Sequence, residues 1–370
     1  MNEIEIGRAK RARRAFSFDD VYLSPRRRTR DPESASTSWR IDAYEFDAPI
    51  VVAPTDSLVS PASAGEFARL GVMAPLNLEG LWSRHENAEE LLADLAQRPM
   101  DRASAQLRHL FATPVDPDLM VERIRSMRAS VATLAAAVSP GRTKWLAGRA
   151  VEAGVDVMLI RGTTVSAEHV ADEEGVLNLK HYVHDLDIPV IVGGCATYQA
   201  ALHLMRTGAA GVLVGFGGGA AHRTVDVLGI RVPMASAVAD VAEARRDYLD
   251  ESGGRYVHVI ADGSVGTSGD LVKALACGAD AAVIGSALAR ATDAPGRGYH
   301  WGPEAVHPTL QRGERVELGV VGTTEEILRG PSTRADGSLN FIGALRKAMA
   351  TTGYSDVKEF QRVGMNVRPS

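Results

Sequence analysis

The segment GVLVGFGGGAAHRTV, residues 211–225, decides the reading of this chain. Val212, Leu213 and Val214 form a short apolar run, the pattern of a strand buried on both faces. The run ends in Gly215-Phe216-Gly217-Gly218-Gly219, four glycines in five residues. Backbone without Cβ atoms can turn tightly and come close to a ligand. Two further units repeat the design, VHVIADGSVGTSGD at 257–270 and AAVIGSALAR at 281–290. In each, an apolar strand stops in a turn of small residues and a helical pattern begins. Such turns gather on the C-terminal rim of a parallel α/β barrel, where helix N-termini bind phosphate. Any one of them could serve only to shape a βα turn; three together near the end of the chain favour a phosphate site.

The rest of the chain repeats the alternation. The apolar runs predict strands near 49–53, 72–76, 130–137, 156–161, 188–193, 211–215, 256–261 and 281–285. Most are continuous rather than alternating, as parallel strands are. Helical patterns such as GRTKWLAGRAVEAG and YQAALHLMRTG lie between them. A degenerate echo, GVDVMLI, GAAGVLVG and GADAAVIG, marks points where a helix ends at glycine and a strand starts. Eight such units predict an α/β fold, a (β/α)8 TIM barrel, as one domain over residues 1–370. Residues 84–128 form a charged helical insertion, and residues 291–340, rich in Gly, Pro and His, a long excursion after the eighth strand. Long excursions in compact domains are often functional.

The composition narrows the function. The net charge of −5 does not suggest general nucleic-acid binding or membrane attachment. No apolar run is long enough to span a bilayer, and the first fifteen residues lack the apolar core of a signal peptide. The two cysteines, Cys195 and Cys277, make neither a disulfide framework nor a zinc pattern, and fit a reducing cytoplasm. The N-terminus is locally basic, with Arg8, Lys10, Arg11, Arg13 and Arg14 followed by Arg26, Arg27, Arg28 and Arg30. These could be a solvated arm, or could dock on an acidic subunit surface or a ligand phosphate.

The motifs FSFDDVYLSP (16–25), IVVAPTDSLVSP (50–61), PVIVGGCAT (189–197), ADGSVGTSGD (261–270) and IGSALA (284–289) resemble, in order and spacing, those of the IMP dehydrogenase/GMP reductase family. The chain is most similar to its short subfamily of IMP dehydrogenase-related proteins from actinobacteria and cyanobacteria. The resemblance implies a purine 5′-monophosphate, GMP or IMP, as ligand and NAD or NADP as cofactor. It also implies a homotetramer or larger ring and a monovalent cation at the Gly217–His222 loop; no other metal is expected. The 84–128 segment is too short to hold the pair of regulatory nucleotide-binding modules that many IMP dehydrogenases carry there.

Carried over residue by residue, the resemblance assigns phosphate to the backbone of Gly263, Ser264, Gly285 and Ser286, with Gly217 and Gly219 beside them. It assigns the ribose diol to Asp262, whose alternative use is as a helix N-cap. Thr55, in APTDS, lies under the base where the family has methionine. The family's nucleophilic cysteine, in a pattern like GPGSICTTR, falls on His222, the preceding serine on Ala220, and the following TTR on Arg223-Thr224-Val225. Catalytic roles are therefore assigned to His222 and Thr224. Imidazole is a poor match for covalent addition at purine C2, so His222 could act as acid or base, contact the ligand, or fill space. The cofactor side is assigned to Arg161, Gly162, Thr163 and Gly194. Arg161 stands where dehydrogenases have an aspartate, and could instead form an ion pair in the barrel mouth. The Arg-Tyr flap that activates water in dehydrogenases is not evident between 291 and 340, where His300, Trp301, Glu304 and His307 are available. The chain thus reads as a purine-nucleotide oxidoreductase, with the GMP reductase direction favoured over IMP dehydrogenation. A catalytically altered nucleotide-binding regulator and a paralogue acting on a modified purine nucleotide are the alternatives.

Overall fold

The computed structural model describes residues 3–98, 100–167 and 178–368. Eight parallel strands make the core: β1 (Ile50–Val52), β2 (Leu76–Asn77), β3 (Ala135–Val138), β4 (Val157–Arg161), β5 (Val190–Cys195), β6 (Gly211–Val214), β7 (His258–Asp262) and β8 (Ala281–Ile284). Each pairs with its chain neighbour from β2 through β8, and β8 pairs with β1. The last seam, between β1 and the run into β2, is closed by a parallel bridge from Val51 to Met73. There the Val52 N–H donates to the Met73 carbonyl at 2.8 Å. The sheet therefore rolls into a (β/α)8 barrel, as the apolar runs predict.

The strands are buried almost throughout, which is why their sequences are continuous in Val, Ile, Leu and Ala. Helices between them are started by side-chain caps, such as Thr197 on the Ala200 N–H and Thr267 on the Asp270 N–H. The glycines of the repeated echo, Gly154, Gly208 and Gly278, all hold positive φ where a helix turns into the next strand.

Two insertions shape the C-terminal rim. Residues 88–127 carry three helices, Ala88–Gln97, Met100–Ala112 and Pro117–Met127. The excursion after β8 contains an antiparallel pair, Tyr299–His300 with Val316–Glu317. The loop between those strands reaches the segment after β6: the Arg223 N–H donates to the Arg312 carbonyl at 2.8 Å, and the Glu314 N–H to the Ala221 carbonyl at 3.0 Å. Arg315 anchors the excursion. It is fully buried, stacks over Tyr299 and donates to the Leu95 carbonyl at 2.9 Å. The basic N-terminus makes an exposed hairpin, Glu3–Gly7 with Lys10–Arg13, and Arg13 pairs with Asp240 of its own chain at 3.0 Å. Among the described residues no helix is long and apolar enough to cross a membrane.

Candidate functional site

The three glycine-rich turns converge on one cavity of about 400 Å³ at the C-terminal rim. Gly217–Gly219 follow β6, Gly263 and Ser264 follow β7, and Gly285 and Ser286 follow β8; all line it, with Thr55 from the β1 turn. Contact between the turns is tight. A Cβ at Gly263, where φ is +145°, would overlap the Gly217 carbonyl oxygen. A Cβ at Gly217 would stand 2.7 Å from the His222 ring. Ser264 holds a left-handed conformation, with φ of 57°. Ser286 Oγ accepts the Ala220 N–H at 3.0 Å, tying the β8 turn to the β6 loop.

Asp262 ends β7 and is 5% exposed. It is not a helix cap, since Thr267 and Asp270 make the capping box of the next helix. Its partner is Arg161 at the end of β4: Nε donates to Oδ2 at 2.9 Å and Nη2 to Oδ1 at 3.3 Å. Burial opposes the Arg161 charge, but the carboxylate outweighs it and holds the guanidinium pKa above its ordinary value. Arg161 thus forms the ion pair that was the alternative to its cofactor assignment. A carboxylate has about four lone-pair sites, so Asp262 keeps two for a diol.

His222 lines the same cavity. Its Nε2 lies 3.0 Å from Thr224 Oγ1 and 3.7 Å from Glu304 Oε1. Burial lowers its pKa, Glu304 opposes that shift, and Arg161 and Arg312 reinforce it. Arg312 Nη1 also donates to Thr163 Oγ1 at 2.7 Å and to Thr224 Oγ1 at 3.3 Å. His222, Thr224, Glu304 and Arg312 therefore form one connected polar group. Glu304 and Arg312 come from the excursion after β8. Sequence reasoning noted Glu304 only as available and missed Arg312, because no periodic pattern fixes where that loop returns.

A second chamber of about 250 Å³ shares Arg161, Pro303 and Glu304 with the first. Asn77, Ser139, Gly162, Thr163, Arg84 and Arg312 also line it. Gly194 reaches neither chamber: its N–H donates to the Gly162 carbonyl at 3.0 Å, and a Cβ there would overlap the Gly215 carbonyl. In the Gly217–His222 loop, the Gly219 carbonyl accepts the His222 N–H at 3.0 Å and that of Ala221 accepts the Glu314 N–H. Among the described residues no cluster of three His, Cys, Asp or Glu could hold a metal ion.

Several neighbours are structural. Asp56 is fully buried beneath Thr55 and accepts the Leu81 N–H at 3.2 Å; burial raises its pKa to about 7. His300 is buried against Ser57, with Nδ1 to Oγ at 2.9 Å, and burial lowers its pKa to about 4. Trp301 is buried and lines neither chamber, so it anchors its loop rather than stacking on a ligand. Burial pushes both thiols, Cys195 and Cys277, up to about 12, and neither lines the site. No reactive thiolate is therefore presented to the cavity.

A family model described as IMP dehydrogenase / GMP reductase domain matches residues 15–308. A protein of Mycolicibacterium smegmatis named an uncharacterized oxidoreductase is 49% identical, covering 98% of this chain and 99% of that one. An inosine-5′-monophosphate dehydrogenase of Methanocaldococcus jannaschii is 39% identical, covering 57% of this chain and 46% of that one. A crystal structure of an IMP dehydrogenase/GMP reductase-like protein from Corynebacterium glutamicum superposes with a TM-score of 0.94 at 46% identity, covering 99% of this chain and 98% of that one.

Proposed function

The chain belongs to the IMP dehydrogenase/GMP reductase family, and from that premise we propose that it is an oxidoreductase of a purine 5′-monophosphate, reducing GMP to IMP. The observation that carries the direction is the His222–Glu304–Thr224 group, a set able to deliver a proton to a leaving amine. Oxidation of IMP to XMP needs water added at C2, and the flap that activates it in dehydrogenases is not evident in this sequence. Reduction needs no water; the thiolate that the family resemblance gives both directions is missing from either. Hydride bonds to C2, a proton goes to the amino nitrogen, the C–N bond breaks, and ammonia leaves as the ring double bond re-forms. The balance is GMP, one hydride and one proton in, IMP and ammonia out.

The roles follow from position. The glycine turns hold the phosphate with backbone N–H groups. Asp262, oriented by Arg161, accepts the ribose hydroxyls. The His222–Glu304 pair carries the proton to the leaving amine, and Thr224 fixes the imidazole. The second chamber fits a nicotinamide riboside beside the base, because its wall at Arg161 and Glu304 is also the wall of the first. Gly162 and Thr163 would hold that group beside the Arg161–Asp262 pair, and bound there it would supply the hydride.

The test is incubation with GMP, IMP or XMP and each of the four nicotinamide forms, following absorbance and ammonia. GMP-dependent oxidation of a reduced nicotinamide, with ammonia released, is expected. Robust conversion of IMP to XMP would overturn the direction. Nucleotide binding with no turnover in any combination would replace it with the regulatory reading, which the absence of a presented thiolate favours.

A further inference from the structure

We infer that Arg231 supplies the fixed positive charge that the nucleotide's 5′-phosphate meets, completing a site whose backbone donors alone do not neutralise it. The inference rests on the phosphate placement proposed above. The charges around the cavity carry it. Four carboxylates line the chamber: Asp19, Asp262, Asp270 and Glu304. The cations lining it are Arg161 and Arg231, with His222 and His300 held toward neutrality by burial. Arg161 is already spent on Asp262 through two hydrogen bonds. Asp270 is turned into its helix cap, accepting from Gly266, Thr267 and the Thr267 hydroxyl. Asp19 is exposed at the rim. A phosphate dianion entering here meets an excess of negative charge.

Arg231 is the available counter-charge. It lines the same cavity as Gly217–Gly219 and Gly263–Gly266, and makes no hydrogen bond or ion pair among the described residues. It stands on an exposed linker between two fixed points. Gly229 ends the helix Thr224–Leu228 in a left-handed cap, and Pro233 caps the helix Met234–Glu251. The linker is thereby held beside the β6 loop while the side chain stays unsatisfied. A guanidinium presents paired N–H groups that match two phosphate oxygens, which a backbone turn does not.

The experiment is calorimetry with GMP and guanosine on the wild-type protein and on Arg231→Ala and Arg231→Lys. Arg231→Ala should weaken GMP about ten- to a hundredfold, the size of one charge-assisted hydrogen bond, and leave guanosine unchanged. Arg231→Lys should restore part of the loss, because charge without the fork geometry remains. Equal wild-type affinity for GMP and guanosine would remove the phosphate site itself. A wild-type preference for GMP that Arg231→Ala leaves intact would overturn the role of Arg231 alone. An equal loss for GMP and guanosine would assign Arg231 to loop structure and overturn it as well.

Discussion

At the scale of single residues the question is what a histidine does where the family resemblance puts a nucleophilic cysteine. His222 is held on Thr224 and faces Glu304, a setting for proton transfer rather than packing. His222→Ala should therefore cost about 10²–10⁴ in turnover with little change in GMP affinity. A loss confined to affinity, worth about 1 kcal/mol for one hydrogen bond, would instead make it a ligand contact. Arg161 gives a second case. Arg161→Ala would leave Asp262 buried without its counter-ion, a change costing about 3–5 kcal/mol when such pairs are broken. The expected outcome is a lower unfolding midpoint in urea together with weaker binding of GMP. An unchanged midpoint would show that water solvates Asp262 in place of the guanidinium. Sequence made the positions of Asp262 and the glycine turns legible because a strand end is a local feature. It left two uses open for Arg161, because its partner lies 101 residues away and only barrel closure brings them together.

At the scale of elements, all eight barrel strands were legible because double-sided burial leaves an apolar run with no alternation. Their edges were less so, for identifiable reasons. The run expected at 72–76 pairs as Leu76–Asn77 plus a lone bridge at Met73, since Pro75 lies between and has no N–H for the ladder. The run expected from 130 starts at Ala135, because the N–H groups of Ser130 and Val131 still donate to Met127 at the helix exit. The excursion after β8 was visible as a long insertion, yet its return onto the β6 loop was not, because the main-chain bonds of Arg312 and Glu314 and the side-chain pairs Arg223–Glu314 and Arg312–Thr224 join residues far apart in sequence that only the folded barrel brings together. The turns are the elements most exposed to small changes. Gly263→Ala should separate the β6 and β7 turns, since a Cβ there overlaps the Gly217 carbonyl and φ is +145°. GMP affinity should fall at least tenfold, on the order of the 1–3 kcal/mol carried by a strained backbone position. Unchanged affinity would show that the turns are not in contact when the nucleotide is bound.

At the scale of the whole molecule, acid sensitivity follows from the groups the barrel buries. His300 titrates near 6.5 in an unfolded chain and at about 4 in the folded one, because burial disfavours the imidazolium. Between those values the unfolded state binds the proton that the folded state refuses. The His300 contribution then rises with pH across that window, is fully present above about 6.5, and is lost as pH falls toward 4, while Asp56, whose pKa burial raises to about 7, slopes the opposite way over the same interval. The His300 shift corresponds to about 3 kcal/mol. His222 and His258 are also lowered by burial and slope the same way as His300. Asp280 acts in a different window. It is buried at the opposite end of the barrel beside Arg245, Tyr256 and the Val259 N–H, and although burial alone would raise its pKa, these partners hold it below the ordinary carboxylate value. Its contribution is present above about pH 4 and disappears only below that. The two windows separate the groups. Urea unfolding of the wild-type protein and of His300→Gln, measured from pH 7.5 down to 4.5, should show the variant losing less stability over that interval, because glutamine can still meet Ser57 but takes up no proton. Carried on to pH 3, the two curves should run parallel below pH 4, where the wild-type His300 is protonated folded and unfolded and the carboxylates, Asp280 among them, are common to both. A variant with the wild-type slope between pH 6.5 and 4.5 would show that His300 is protonated in the folded barrel and that the acid response arises elsewhere.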